Sequence, residues 1–166
     1  MAKPRSQTGL KGAFKVRATL RPLNTKRSLP MSLLRAREAV MSWFRPILGK
    51  YDVTDAQWRV IRVLGEESPL EANELAQRAS VLGPSLTRII KALLDRGLVA
   101  RAKTAEDHRR VELAITTKGR NLIREVSPQT NAVYASLKVR LGEQRYEEVL
   151  DILDVVSEIK SDLPTR

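Results

Sequence analysis

The chain has 166 residues, a net charge of +11 and enough apolar residues for one domain with a hydrophobic core, but no apolar run long enough to span a bilayer. The chain has no cysteine, which excludes disulfides, thiolate nucleophiles and cysteine-based redox sensing. It has one histidine, too few for the usual zinc ligand sets. The first residues also lack the apolar core of a secretory signal, so composition predicts a soluble cytoplasmic protein without a membrane span, a metal or a cofactor.

Residues 1–29 form a basic arm. They contain eight lysine and arginine residues and no acid, whereas the remaining residues contain 22 basic and 19 acidic ones. Glycines, prolines and scattered cations without a sustained apolar period predict that this arm is disordered when free. A basic arm on a nearly balanced body is typical of proteins that bind a polyanion such as DNA. The alternative is a tail that serves only solubility.

Two helices are predicted after the arm. The first covers residues 30 to about 50, and Pro46 is expected to kink it. Thr54 or Asp55 can cap the second, which is expected to end at Pro69. The apolar positions at helical spacing are Leu33, Ala36, Val40, Phe44 and Ile47 in the first helix and Trp58, Ile61 and Leu64 in the second.

The next two helices are predicted to form a helix-turn-helix. The third helix covers residues 71–79, and a turn at 80–83 leads into the fourth. Gly83 followed by Pro84 is the favoured order of cap and first-turn proline, and Gly97 can supply a left-handed C-cap at the other end. The inward stripe of the fourth helix has the spacing i, i+3, i+4 and i+7, at Leu86, Ile89, Ile90 and Leu93.

A hairpin and two more helices complete the chain. Residues 98–103 and 111–116 are predicted to pair as strands around the charged segment 104–110, which makes a wing. Helical patterns then cover residues 117 to about 139 and 143 to about 162. The terminal helices carry apolar stripes without an evident partner inside the chain, and this predicts a homodimer. The alternative is that they cover the domain's own core.

Local motifs accompany this order of elements. The stretches SLTR at 85–88 and LLDRGLV at 93–99 run from the fourth helix into the first strand, and DHRR at 107–110 and TTKG at 116–119 follow. Together they resemble the MarR (multiple-antibiotic-resistance regulator) family of transcription regulators over residues 29–162. The resemblance implies a mainly α fold with a small β wing. It places the winged helix-turn-helix at about 54–118 and the dimerisation helices at about 30–50 and 117–162.

Two segments resemble one subgroup of that family. LRAREAVMSWFRP at 34–46 and QWRVIR at 57–62 are similar to the regulators of homoprotocatechuate (3,4-dihydroxyphenylacetate) degradation. The resemblance implies a repressor of an aromatic-compound catabolic operon. Such a repressor binds a palindromic operator in double-stranded DNA and leaves it when a small aromatic acid or its CoA thioester binds.

Candidate DNA contacts lie on the fourth helix and on the wing. The second helix of a helix-turn-helix enters the major groove, where an arginine can bind guanine through two donors and hydroxyl groups can meet bases or phosphates. Wing arginines would reach phosphates or a narrow minor groove. The resemblance implies that Arg109 enters that groove and that Asp107 orients it, whereas His108 is expected to be an exposed loop residue. The candidates are Ser85, Thr87, Arg88 and Lys91 on the helix and Arg109 and Arg110 on the wing.

Candidate effector contacts lie on the first two helices, because the family places its pockets between the dimerisation helices and the DNA-binding lobe. Aromatic rings and arginines together can bind an aromatic carboxylate by ring packing and a charge-assisted hydrogen bond. The alternatives are that the rings belong to the core and that the arginines pair with acids. The candidates are Arg35, Arg37, Trp43, Phe44, Arg45, Trp58 and Arg62.

Two other classes of protein fit the sequence less well. An architectural protein that coats DNA would also be basic and helical, but it has little use for a wing and dimerisation helices. An enzyme is not predicted, because the sequence has no phosphate-binding glycine loop, no paired carboxylates that can be placed in a cleft and no nucleophile with a histidine base.

Overall fold

A computed structural model describes residues 27–103 and 111–159. Nearly all of the basic arm and the tip of the predicted wing lie outside these ranges. The mainly α fold with a small antiparallel sheet is confirmed. Its elements in chain order are α1 (Leu29–Gly49), α2 (Asp55–Glu66), β1 (Leu70–Glu71), α3 (Ala72–Arg78), α4 (Gly83–Asp95), β2 (Val99–Lys103), β3 (Val111–Ile115), α5 (Thr117–Leu141) and α6 (Glu143–Glu158).

The start of α2 is fixed by a capping box. The Thr54 hydroxyl accepts a hydrogen bond from the Gln57 backbone N–H at 3.2 Å, and the Gln57 side chain accepts one from the Thr54 N–H at 2.9 Å. Two N–H groups that a helix start leaves unpaired are thereby satisfied, which confirms Thr54 as the cap. The predicted apolar stripe of α2, at Trp58, Ile61 and Leu64, is buried. Helix α1 does not end at Pro46 but continues to Gly49.

The helix-turn-helix consists of α3 and α4, and two details of its prediction were wrong. The N-cap of α4 is Leu82, because Gly83 already has helical geometry as the first residue of the helix. The third helix begins at Ala72, because Glu71 is taken up by a strand. The glycine stop of α4 is confirmed, since Gly97 has a φ of +66°.

The sheet has the order β1-β3-β2, with both pairs antiparallel. The predicted hairpin is confirmed by β2 and β3, which pair from Val99 opposite Ile115 to Lys103 opposite Val111. The third strand, β1, was not predicted. It pairs with β3 through only two residues, opposite Glu112 and Leu113, and thereby joins the edge of the hairpin to the helix-turn-helix.

One apolar core joins α2 to the helices and strands around it. α6 contributes none of its side chains to this core, and several of its apolar residues are exposed within the described chain. The helix-turn-helix is thus packed on the common core, whereas α6 keeps an apolar surface. The core residues are Leu48, Val53, Trp58, Val60, Ile61, Leu64, Leu70, Leu75, Ala79, Leu86, Leu93, Leu98, Val99, Leu113, Ile115 and Val126.

Gly119, at the start of α5, is expected to tolerate no side chain. A methyl group on its Cα would lie well inside van der Waals contact of the Leu98 carbonyl oxygen and the Ile115 side chain. Gly119→Ala should therefore lower the free energy of unfolding by about 2–3 kcal/mol, as overpacking does. Gly49→Ala is the control, because nothing lies within 4 Å of the added methyl, and it should change stability by less than ~1 kcal/mol. Urea denaturation measures both values, and equal effects would contradict the packing described here.

Candidate functional site

The exposed face of α4 carries all four helix residues predicted to bind DNA. Ser85, Thr87, Arg88 and Lys91 are exposed, and the buried face is anchored by Leu86, which is 3% exposed. The first turn of α4 contains no acidic residue. The unpaired N–H groups at the start of α4 add partial positive charge to that of Arg88 and Lys91, and no nearby carboxylate in that turn offsets it. This face presents hydroxyl and cationic donors to a polyanion.

A groove of about 560 Å³ runs between α4 and the sheet. Thr87, Lys91 and Asp95 line it on the helix side, and the exposed Arg101 of β2 lines it on the strand side. Arg101 was not among the predicted DNA contacts, because a lone arginine in a short strand carries no signal until the strand is placed. With Arg101, the cationic surface of α4 continues onto the hairpin.

The wing candidates Asp107, His108, Arg109 and Arg110 lie outside the described residues, so their roles remain predictions. The described part of the hairpin ends at the pair Lys103 and Val111. The segment that carries the candidates therefore connects the ends of β2 and β3.

Hydrogen bonds tie the C-terminal end of α4 to the rest of the domain. The Arg96 guanidinium donates to the backbone carbonyls of Tyr51, at 3.0 Å, and Asp52. Lys118 of α5 donates to the Arg96 carbonyl at 2.8 Å, and Gln129 of α5 donates to the Tyr51 hydroxyl at 2.7 Å. This network was not predicted, although Arg96 lies within the LLDRGLV motif. It connects the position of α4 to α5 and to the loop before α2.

A cleft of about 260 Å³ lies among α2, α5 and the turn that leads into α4. It brings together two of the predicted effector residues, Trp58 and Arg62, whose guanidinium carbon lies 6.0 Å from the centre of the indole ring. Its lining combines rings, hydroxyls and three guanidinium groups, a composition that suits an aromatic anion. The lining residues are Trp58, Arg59, Arg62, Val63, Glu66, Arg78, Ala79, Ser80, Thr130 and Tyr134.

The charged groups of the cleft already have protein partners. Arg62 pairs with Glu66 at 3.1 Å. Arg78 donates to Glu67 at 2.7 Å, and this hydrogen bond raises the pKa of Arg78. Burial raises the pKa of Tyr134, against the opposing effect of the Arg62 charge, so Tyr134 stays a neutral phenol. Because Arg62 and Glu66 are substantially exposed, an entering carboxylate can replace Glu66 at little cost.

The three predicted effector residues on the second half of α1, Trp43, Phe44 and Arg45, do not line the cleft. Phe44 is buried with its ring 5.1 Å from that of Tyr134, so it supports the lining from behind. Trp43 stacks beneath Arg140 at 5.1 Å, and Arg45 pairs with Glu38 at 2.6 Å.

The remaining two candidates lie on the first half of α1. Arg35 and Arg37 are exposed there, and Arg35 donates to the Ser32 hydroxyl at 3.2 Å. Of the predicted effector residues, Trp58 and Arg62 thus line the cleft together, whereas Trp43 contacts Arg140 and Arg45 pairs with Glu38.

No described helix has the length and apolar character needed to cross a membrane. Within residues 27–103 and 111–159, no three histidine or carboxylate side chains are grouped so that they could hold a metal ion.

Comparisons with known proteins agree with this arrangement. A protein-family sequence model described as "MarR family" matches residues 51–110 of this chain, which run from the loop before α2 into the wing. The HTH-type transcriptional regulator FarR of Neisseria gonorrhoeae is 39% identical over 136 residues, 82% of this chain and 93% of FarR. The homoprotocatechuate degradative operon repressor of Escherichia coli is 35% identical over 127 residues, 76% of this chain and 86% of the repressor. The crystal structure of NadR in complex with 4-hydroxyphenylacetate has a TM-score of 0.73 and 39% identity, and covers 80% of this chain and 94% of NadR. The chain belongs to the MarR family.

Proposed function

We propose that the protein is a dimeric transcription repressor that binds a palindromic operator and leaves it when an aromatic acid binds. The observation that carries this proposal is the exposed face of α4, where Ser85, Thr87, Arg88 and Lys91 stand on a helix-turn-helix with a buried opposite face. The relative from E. coli is named as the repressor of a degradative operon for an aromatic compound. We place the regulator in the cytoplasm, where its operator lies, and give it no catalytic role.

The dimer is supported by apolar side chains that the described chain leaves in contact with water. Val149, Ile152, Leu153 and Val155 of α6 are all exposed, and Val139 of α5 is 84% exposed. Patches of this kind usually mark an interface with another chain. Two copies related by a twofold axis would present their α4 helices to successive major grooves, ~34–36 Å apart. The basic arm and the wing arginines would then add contacts to phosphates and to the minor groove.

The cleft beside Trp58 is the proposed effector site. NadR was crystallised with 4-hydroxyphenylacetate, an acid with one ring, one carboxylate and one hydroxyl. Here Trp58 would pack on such a ring, Arg62 would bind the carboxylate and Tyr134 would meet the hydroxyl. A cleft of about 260 Å³ favours the free acid over its much larger CoA thioester.

Arg62→Gln is expected to weaken the binding of 4-hydroxyphenylacetate by about 10- to 100-fold. The variant removes a charge-assisted hydrogen bond, which contributes ~1.5–3 kcal/mol. Thermal unfolding measures the effect, because a ligand at ~100 times its Kd adds about 2.7 kcal/mol to the stability of the parent protein. We would also test 3,4-dihydroxyphenylacetate.

Arg45→Gln is the matched control, because Arg45 is an arginine of α1 that pairs with Glu38 and does not line the cleft. It should leave the ligand affinity unchanged. Loss of binding in Arg45→Gln with full binding in Arg62→Gln would move the effector site from the cleft to α1.

A non-specific architectural role is the second candidate, because the protein carries a net charge of +11. It would give similar affinities for one palindromic site and for random DNA at the same salt concentration. A specific repressor should bind its site ~10³-fold or more tightly than random DNA.

A further inference from the structure

Leu82 combines two unfavourable features at one position. Its side chain is 80% exposed although it is large and apolar. It is also the N-cap of α4, yet it gives the helix no side-chain hydrogen bond. By contrast, α2 and α5 begin with Thr54 and Thr116, whose hydroxyls accept hydrogen bonds from the first turn. Because serine or aspartate would suit such a site better, Leu82 is not explained by the stability of the fold.

The backbone holds Leu82 in a defined place. Its carbonyl accepts the Leu86 N–H at 2.9 Å, and the preceding residue, Val81, donates to the Ala76 carbonyl at 2.9 Å. Leu82 therefore projects from a fixed turn and is followed by the exposed residues Gly83, Pro84 and Ser85. The turn leads into the N-terminal end of α4, which is the recognition helix of this helix-turn-helix, and residues at that end contact base edges in such motifs.

We propose that Leu82 reads thymine, with its isobutyl group packed against the C5-methyl of one thymine in each half of the operator. Thymine carries the only methyl group that bases present in the major groove. The N-terminal residues of a recognition helix approach base edges, so an aliphatic side chain at that end is placed to pack on this methyl. Neighbouring cations and the acid-free first turn make DNA, rather than a protein, the occupant of this surface. The inference rests on the proposed function, because it requires binding to a defined DNA sequence.

The test replaces single thymines by deoxyuridine, which removes the methyl group and leaves base pairing intact. A high-affinity palindromic duplex is first selected with the full-length protein from random-sequence DNA. Each symmetry-related pair of thymines is then replaced, and the Kd is measured at one salt concentration. Loss of one buried methyl corresponds to about fourfold weaker binding per half-site. We expect such a loss at one thymine position, and in Leu82→Ala that uracil penalty should vanish while the penalties at other positions remain.

Three further measurements decide the result. Leu82→Met keeps an aliphatic side chain and should keep the uracil penalty. Leu82→Ser supplies a capping oxygen, so its Tm should rise by a few degrees while the penalty is lost. A large fall in Tm for Leu82→Ser would show that Leu82 stabilises the fold, and this would overturn the inference.

Two results with DNA would also overturn it. If Leu82→Ala weakens thymine and uracil duplexes equally at every position, Leu82 packs on the sugar-phosphate backbone and reads no base. If no selected duplex binds more tightly than random DNA, the proposed function fails together with the inference.

Discussion

Arg88→Ala should cost about 1–3 kcal/mol of binding free energy at each half of the operator, or ~2–6 kcal/mol for the dimer. Arg88 is exposed on α4 one turn after Ser85, where a guanidinium can bind the O6 and N7 acceptors of guanine together. Because that contact depends on the base, the loss should be largest on the selected operator and small on random DNA. Fluorescence anisotropy with both duplexes at one salt concentration measures the difference.

Arg145→Ala is the matched control for charge alone. Arg145 is an exposed arginine on α6, an element separate from the helix-turn-helix. Its replacement should change both affinities little, through the long-range charge of the protein. Equal losses on specific and random DNA in Arg88→Ala would contradict base reading and would leave Arg88 as a phosphate contact.

A ligand in the cleft would touch the helix-turn-helix directly. Arg59 of α2 lines the cleft, and its side chain donates to the Ala79 carbonyl in the turn before α4 at 2.8 Å. Ala79 and Ser80 of that turn also line the cleft. A carboxylate bound by Arg62 that also attracts Arg59 would draw Arg59 away from the turn and so release one of the turn's anchors. Since both α4 helices of a dimer must match successive major grooves, small shifts of each turn are enough to weaken operator binding.

Helical spacing and turn residues predicted most of the fold. The stripe of Trp58, Ile61 and Leu64 is local, so its burial could be read from the sequence. Thr54 and Gly97 act through their own backbone neighbours, and their roles as cap and stop could be read in the same way. Such features depend on residues within one or two turns of each other.

Features that depend on distant parts of the chain escaped prediction. The strand β1 has only two residues, too few for an alternating pattern, and exists because β3 offers it a partner. Arg96 bonds to a loop 44 residues away, and the sequence contains nothing that pairs them. The arginines of α1 and α2 looked alike in sequence, but packing placed Arg62 beside Trp58 and paired Arg45 with Glu38.

Effector and operator are expected to exclude each other from the same dimer. By thermodynamic reciprocity, if 4-hydroxyphenylacetate weakens operator binding by some factor, the operator must weaken binding of the acid by the same factor. Reversal from 99% bound to 99% free requires a factor of ~10⁴, about 5.5 kcal/mol. Coupling of this size is large enough to measure from either side.

The most direct measurement is calorimetric titration of 4-hydroxyphenylacetate, and of other arylacetic acids, into the full-length protein with and without saturating operator. We expect the Kd of the acid to rise by several orders of magnitude with operator present, and to match the factor by which the acid raises the Kd of the operator. Arg62→Gln should lose binding in both titrations, which ties the coupling to the cleft. An acid that binds tightly with the same Kd in the presence and absence of operator would contradict the account.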